Sequence, residues 1–416
     1  MLRGDLYRIG FPSSSAYRIG RFFKRLVFMD LESVLLKYIK QTYLPERFRK
    51  SGSEDFTEKD VHFFAMGAAE LSDAFTSGRR ELPKNYFNRK EARSAYLLYF
   101  TLTNFAKILK CLHECARVSA FNSPDLDILD VGCGPGTAAL ACSSFFATRP
   151  LSITGVDQNR EILKDASALF SMIGGPHHSF LTMGEEIQPS SVGQRLKGKR
   201  FDLIIAANVL NEVGEVKDQF RLCQTLLDDY LKDNGAMIVV DPALQRTTRA
   251  LMEVRDLLNA QILAPCLHQD PCPMLAQNRR DWCHFYLEWK CPEIIRKVDR
   301  LLEIRHDYLK MAYLILKKST PSSSLSAKGG SASGGQREGE KFWRVVSSPL
   351  RSKGKCEFVL CGERRLKRIC RLDRARSDKN RVFDYVKRGD LIQISGNADR
   401  ISRNDSLTIA FPFNSP

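Results

Sequence analysis

Three sets of residues in this chain have types and spacings that could do chemistry. The first is Asp130-Val131-Gly132-Cys133-Gly134-Pro135-Gly136, which follows the apolar pair Ile128-Leu129 and leads into a helix-like segment from Thr137 to Phe146. Glycines allow positive φ and let the backbone approach a ligand, while a new helix presents free N–H groups. The second is Asp157, which closes an apolar run from Leu151 to Val156. A carboxylate placed one strand beyond a glycine loop can accept both hydroxyls of a ribose. The third is a set of cysteines, Cys266, Cys272, Cys283 and Cys291, within 26 residues. Thiolates on irregular backbone suit a metal or an iron–sulfur cluster. Their spacing lacks the C-x-x-C pairs of common structural zinc sites. Buried free cysteines, which are frequent core residues, are the alternative.

The loop admits two readings. A dinucleotide fingerprint needs G-x-G-x-x-G, whereas this stretch is G-x-G-x-G with an acid two residues before the first glycine. That acidic variant is the loop of S-adenosylmethionine (SAM)-dependent methyltransferases, whose cofactor has no pyrophosphate but carries an ammonium group. The expected cofactor-binding residues are Asp130, Gly132, Gly134, Gly136, Asp157 and Asn208. Many enzymes that methylate an exocyclic nitrogen carry Asn or Asp followed by Pro-Pro and an aromatic after the fourth strand. Here that place is Ala207-Asn208-Val209-Leu210-Asn211-Glu212, with the Asn but neither the prolines nor the aromatic. No other residue declares itself as a general base. Cofactor binding is therefore better supported than catalysis, and no catalytic residue is assigned.

These residues must be held by an α/β framework. From Asp127 the pattern alternates strand and helix, as in a parallel sheet covered on both faces. Strands are expected at Asp127–Gly132, Leu151–Asp157, Phe201–Leu210, Gly235–Asp241 and Met311–Leu316. Helices are expected at Thr137–Phe146, Arg160–Met172, Val216–Leu231 and Arg246–Leu258. Ligands of such sheets lie beyond the carboxyl ends of the strands. The fold class is thus α/β, a Rossmann-like SAM-dependent methyltransferase domain over 121–318. Before it, 30–120 has helical periodicity, with Ala92–Leu112 one long segment. Aromatics there, such as Tyr86, Phe87, Tyr96 and Tyr99, are expected in the core or against the next domain. Between 260 and 292 the alternation breaks into the cysteine-rich insertion. A Ser-, Gly- and Lys-rich stretch over 319–340 is a flexible linker. Beyond it, 341–416 has five expected strands, Phe342–Val346, Cys356–Leu360, Leu366–Arg371, Leu391–Ser395 and Ser406–Ala410. They suggest a small β-barrel-like domain of the oligonucleotide-binding type.

Length and charge limit the options further. With 416 residues and 43% apolar content the chain can build two or three cored domains. No apolar run reaches the roughly 18 residues of a membrane span, so no membrane partner is expected; the chain is separately expected to be a monomer. The formal charge is +16, and such a balance points to a polyanionic partner. From Lys341 onward there are eighteen Lys and Arg against eight Asp and Glu. This concentration favours RNA or ribosome contact by the C-terminal region. The basic, serine-containing residues 1–29 could be an organelle transit peptide. The plainer reading is an upstream start codon, with the folded protein beginning at Met29.

Taken together, these pieces resemble one family: mitochondrial small-subunit ribosome assembly factors of the methyltransferase-like protein 17 type, with their bacterial relatives. The resemblance rests on the helical front with Arg93-Ser94-Ala95-Tyr96-Leu97-Leu98-Tyr99-Phe100, the SAM-type domain and Val209-Leu210-Asn211-Glu212. It rests most specifically on the Ala264-Pro265-Cys266, Asp270-Pro271-Cys272-Pro273 and Asp281-Trp282-Cys283-His284 insertion, and on Leu360-Cys361-Gly362. It spans about Asp30 to Asp390. The resemblance implies action on the small ribosomal subunit and its rRNA, and a four-iron, four-sulfur (4Fe-4S) cluster on four cysteines. Carried over by motif, the ligands would be Cys266, Cys272, Cys283 and Cys361, with Cys356 in reserve and Cys291 the local alternative. Localisation would be the mitochondrial matrix in a eukaryote and the cytoplasm in a bacterium.

Overall fold

The computed structural model describes residues 31–44, 56–76, 86–119, 121, 123–319, 342–395 and 399–414. The expected N-terminal extension over 1–29 and almost all of the 319–340 linker lie outside the described residues.

The front of the chain is helical. Helix α1 covers 31–42 and α2 covers Glu58–Thr76. Thr57 starts α2 with a reciprocal cap: its hydroxyl accepts from Asp60 N at 3.3 Å, and Asp60 Oδ2 accepts from Thr57 N at 2.8 Å. Helix α3, Lys90–Ala95, runs through a π turn at Tyr96–Phe100 into α4, Thr101–Val118. The extra residue of a π turn rotates the side chains before it relative to those after it.

The central sheet has the order β3-β2-β1-β4-β5-β8-β6, with β7 also paired to β8. Its strands are β1 Leu126–Val131, β2 Leu151–Asp157, β3 His178–Gly184, β4 Phe201–Ala207 and β5 Leu231–Asp241. They continue with β6 Ala260–Ala264, β7 Phe285–Glu288 and β8 Tyr308–Lys318. Strands β1 to β5 are mutually parallel, and β8 runs against β5, β6 and β7. Helices α5, Thr137–Phe145, and α6, Arg160–Ile173, follow β1 and β2. Helix α7, Val216–Thr225, and α8, Gln245–Leu257, follow β4 and β5. Continuous apolar strands such as Leu203-Ile204-Ile205-Ala206 are wholly buried because both faces are covered. One cover is α4, whose Phe105, Ile108 and Leu112 share a core with Ile205, Ile238 and Val240.

The expected α/β class is present, and the expected elements are found within a few residues of their predicted ends. Three strands of this sheet went unforeseen. β3 follows a loop without a clear apolar run, and β6 and β7 lie in the segment where the alternation was expected to stop. The cysteine-rich stretch therefore contributes two strands and the short helix α9, Pro273–Gln277. Helix α10, Glu293–Leu301, leads back to β8.

Residues beyond 341 form a second sheet of seven strands, ordered β14-β12-β11-β9-β13-β15 with β10 paired to β11. These are β9 Phe342–Val345, β10 Leu350–Ser352, β11 Lys355–Gly362, β12 Arg365–Leu372, β13 Leu391–Ile394, β14 Arg400–Ile401 and β15 Leu407–Phe411. All five expected strands are there. The pairing path is open, because β14 and β15 end it without pairing to each other. Its own core gathers Trp343, Val345, Phe358, Leu360, Ile369, Phe383 and Ile392.

Candidate cofactor cleft and cysteine joint

At the carboxyl end of β1 the chain turns through three glycines in left-handed conformations, Gly132 (φ 65°), Gly134 (φ 50°) and Gly136 (φ 77°). A side chain at Gly132 would collide with Val209 Cγ2 at 2.3 Å, whereas one at Gly134 would meet no atom within 4 Å. The loop is therefore pressed against the β4 turn at one glycine and open at the next. Asp157, at the end of β2, holds the open part: Oδ2 accepts from Gly134 N at 3.0 Å and Oδ1 from Asn159 N at 2.9 Å. Burial raises its pKa, and the N–H groups of Asn159 and Gly134 pull it back.

Asp130 sits beneath the loop, 2% exposed. One of its oxygens accepts from Ala139 N, and Oδ2 has no partner among the described residues. Burial is the main reason its pKa rises to about 8; the Ala139 N–H opposes the rise and the nearby Asp157 charge adds to it. Asn208 has a left-handed backbone (φ 61°), and its N–H donates to Val240 O at 2.7 Å. Just after it, Val209 and Leu210 turn into the core, 8% and 0% exposed. The structure thus brings Asp130, Gly132, Gly134, Gly136, Asp157 and Asn208 to neighbouring ends of β1, β2 and β4.

Tyr96, expected in the core or against the next domain, meets that domain at this cleft. Burial raises its pKa, and the charges of Glu212, Asp157 and Asp130 add to that. Asn104, two turns along, hydrogen-bonds the Tyr96 hydroxyl. Which aromatic would reach the cleft had no sequence signal, because one aromatic in an aromatic-rich helix resembles the next. The other aromatics met expectation: Phe87 is buried, and Tyr99 donates to Asp299 Oδ1 at 2.7 Å, joining the helical front to α10.

The four cysteines singled out as ligands meet at the joint between the two sheets. Cys283 lies within electrostatic range of Cys266, Cys272 and Cys361. Cys361 likewise senses Cys266 and Cys272. Strand parity explains why Cys361, and not Cys356, reaches them. Along β11, Cys356, Phe358 and Leu360 point into the second sheet's own core, while Val359 and Cys361 point to the opposite face. There they pack with Met252, Cys272, Met274, Trp282 and Cys283. Cys291 is elsewhere, in the wall of a cavity of about 730 Å³ with Trp289, Arg296 and His306. Among the described residues no three His, Cys, Asp or Glu side chains are close enough to chelate one metal ion.

Arginines surround this joint. Buried Arg255 senses Cys266 and Cys272, and its Nη2 donates to His268 O at 2.8 Å. Arg388 senses Cys283 and stacks on Tyr286 at 5.2 Å. The Nε atoms of both are buried without a hydrogen-bond partner among the described residues. Burial pushes the Cys272 thiol up to about 11, with the neighbouring Cys266 adding to the rise. The sheets are also tied without the thiols. Arg344 Nε donates to Pro265 O at 3.2 Å, Arg364 pairs with Asp270 at 2.8 Å, and Phe413 packs on Phe285. These contacts join the two sheets independently of any thiol ligation.

A family model described as mitochondrial small ribosomal subunit Rsm22 matches residues 90–380. The Rsm22-cox11 tandem protein 2, mitochondrial, of Schizosaccharomyces pombe is 30% identical over 182 residues, 38% of this chain and 23% of that protein. The human ribosome assembly protein METTL17, mitochondrial, is 26% identical over 193 residues, 41% of this chain and 39% of that protein. The chain thus spans well under half the length of these curated relatives. Among solved structures, magnesium protoporphyrin IX methyltransferase of Synechocystis PCC 6803 with bound SAM has 12% identity and a TM-score of 0.35, covering 61% of this chain and 97% of that one. No described helix is long and apolar enough to cross a membrane.

Proposed function

The chain belongs to the mitochondrial small ribosomal subunit Rsm22 family, and from that premise we propose that it is a methyltransferase-like factor of small-subunit assembly that binds SAM. The opening at Gly134 beside the partnerless Asp130 oxygen carries the cofactor part. A buried acceptor without a donor is costly, and a ligand ammonium would satisfy it. The carboxylate of Asp157 keeps lone pairs for ribose hydroxyls after receiving its two backbone N–H groups. Bound there, SAM supplies an electrophilic methyl group, and this chain's residues hold and orient it. The buried Val209-Leu210 pair favours a second reading, in which the fold is kept for cofactor binding and shape with no methyl transfer.

We infer a 4Fe-4S cluster on the four thiols, which lie within electrostatic range of one another and whose family motif implies one; thiolates are the ligands such a cluster takes. The partnerless Arg255 and Arg388 Nε donors suit the negative charge of thiolate and sulfide. Such a cluster would be held by Cys266, Cys272, Cys283 and Cys361 and would cross-link the two sheets.

RNA contact is supported by the basic second sheet. Arg374, Arg400 and Arg403 line a cavity of about 480 Å³, and none pairs with a carboxylate among the described residues. The working division is a basic extension over 1–29, a helical front over 30–120, the cofactor domain over 121–318, a linker over 319–340 and an RNA-facing sheet over 341–416. The mitochondrial relatives support a matrix location in a eukaryote.

Anaerobic purification, iron and sulfide analysis and calorimetry with SAM test these parts together. Cys361→Ser should lose the broad visible absorbance and most of its iron, while Cys356→Ser and Cys291→Ser keep both. Equal iron in all three would remove Cys361 from the site. Stoichiometric zinc without sulfide would replace the cluster by a zinc centre.

A further inference from the structure

On α4, one turn beyond Asn104, Lys107 carries a charge that no carboxylate among the described residues answers. Its Nζ reaches Asn104 Oδ1 at 3.5 Å, a long contact to a neutral oxygen. No carboxylate lies within ion-pair distance of it among the described residues, whereas Lys110 on the next turn pairs with Glu114 at 2.9 Å. Lys107 is only half-buried by surface, yet the surrounding protein is dense enough to lower its pKa to about 8, burial being the cause. Asn104 also bonds Tyr96, which stands in the field of Glu212, Asp157 and Asp130. Lys107 is therefore the third member of a polar row, Tyr96, Asn104 and Lys107, of which Tyr96 stands nearest the carboxylates of the cleft.

A crowded ammonium without a counter-ion destabilises a protein, and such groups concentrate at binding sites. We propose that Lys107 is an oxyanion-binding residue of the cleft, taking a carboxylate or phosphate with Asn104 orienting it. The anion has two possible sources, the amino-acid end of SAM or a phosphate of the RNA acceptor. The first source rests on the SAM reading; the second does not.

The test compares Lys107→Met, Lys107→Arg and the parent as full-length protein, using three probes. These are SAM, 5′-methylthioadenosine (which keeps the adenosine and thioether but lacks the amino-acid end), and a small-subunit rRNA transcript. If the cofactor supplies the anion, K107M should bind SAM about tenfold more weakly, the effect of one charge-assisted hydrogen bond. It should bind methylthioadenosine unchanged, and K107R should recover most of the loss. If RNA supplies the anion, SAM binding stays level. RNA affinity then falls, and its salt dependence drops by about one counterion. Either result supports the assignment. K107M matching the parent with all three probes overturns it. The unfolding midpoint gives an independent reading. Removing an unanswered charge should raise it, and a lower midpoint in K107M would make the lysine structural and overturn the proposal. A parent that binds neither SAM nor methylthioadenosine defeats the SAM reading, and the RNA arm still decides Lys107.

Discussion

The most consequential single residue is Asp130. Its carboxyl is held near pH 8 in the folded protein against a reference of 3.8. A raised carboxyl pKa means stability is fully present below about pH 4 and is lost progressively as pH rises toward 8. Asp130→Asn should abolish that decline, and denaturation midpoints of the two proteins between pH 4 and pH 8 check it. The same shift gives binding a signature. A ligand cation beside Asp130 Oδ2 would pull its pKa down, so SAM binding at pH 7 should release close to one proton. The apparent calorimetric enthalpy should then vary with the ionisation enthalpy of the buffer. D130N should show no such variation, and a parent that shows none places the cation elsewhere.

At the scale of elements, the site is a junction between the β1 loop and the β4 turn. Gly132 is left-handed, and a Cβ there would stand 2.3 Å from Val209 Cγ2. Gly132→Ala should cost about 1–2 kcal/mol from backbone conformation, with overpacking adding about 1–3 kcal/mol. Val209→Ala removes the colliding methyl, so a double-mutant cycle should return part of that loss, and strictly additive effects would mean that the contact does not exist. Gly134→Ala meets no such wall and should keep stability better while weakening cofactor binding. This junction was half legible in the sequence. The glycine spacing, Asp157 and the parallel strands could be read because local periodicity and turn chemistry fix them. The facing of Tyr96, the row to Lys107 and the packing of Val209 on Gly132 could not, because they depend on how α4 and the β4 turn settle over the sheet. Strands β3, β6 and β7 were missed for the same reason, being edge or near-edge strands stabilised mainly by their partners. The choice of Cys361 over Cys356 is a case between these. Motif resemblance named it, and strand parity supplies the physical reason.

Over the whole molecule, the question is what holds the basic second sheet to the domain of the central sheet. A cysteine cluster would be one tie, but the joint already contains apolar packing around Met252, Met274 and Val346. It also contains Arg344 on Pro265, Arg364 on Asp270, and Glu288 N donating to Asn414 Oδ1 at 2.8 Å. The apolar packing and the Arg344 bond are buried and little screened by salt, unlike the exposed Arg364–Asp270 pair. A protease site engineered into 320–341 and cut should therefore leave two pieces that co-elute in gel filtration, at low salt and at high. They should do so even in Cys361→Ser, because ligation reinforces a joint that side chains already close. Dissociation of the cut parent would show these contacts to be too weak alone. Dissociation of only the cut C361S protein would make metal binding the docking energy after all. The cut, co-eluting protein then separates affinity from geometry in RNA binding. If the two sheets present one continuous basic surface, its affinity for small-subunit rRNA should equal that of the uncut chain, with the same steep decline as salt rises.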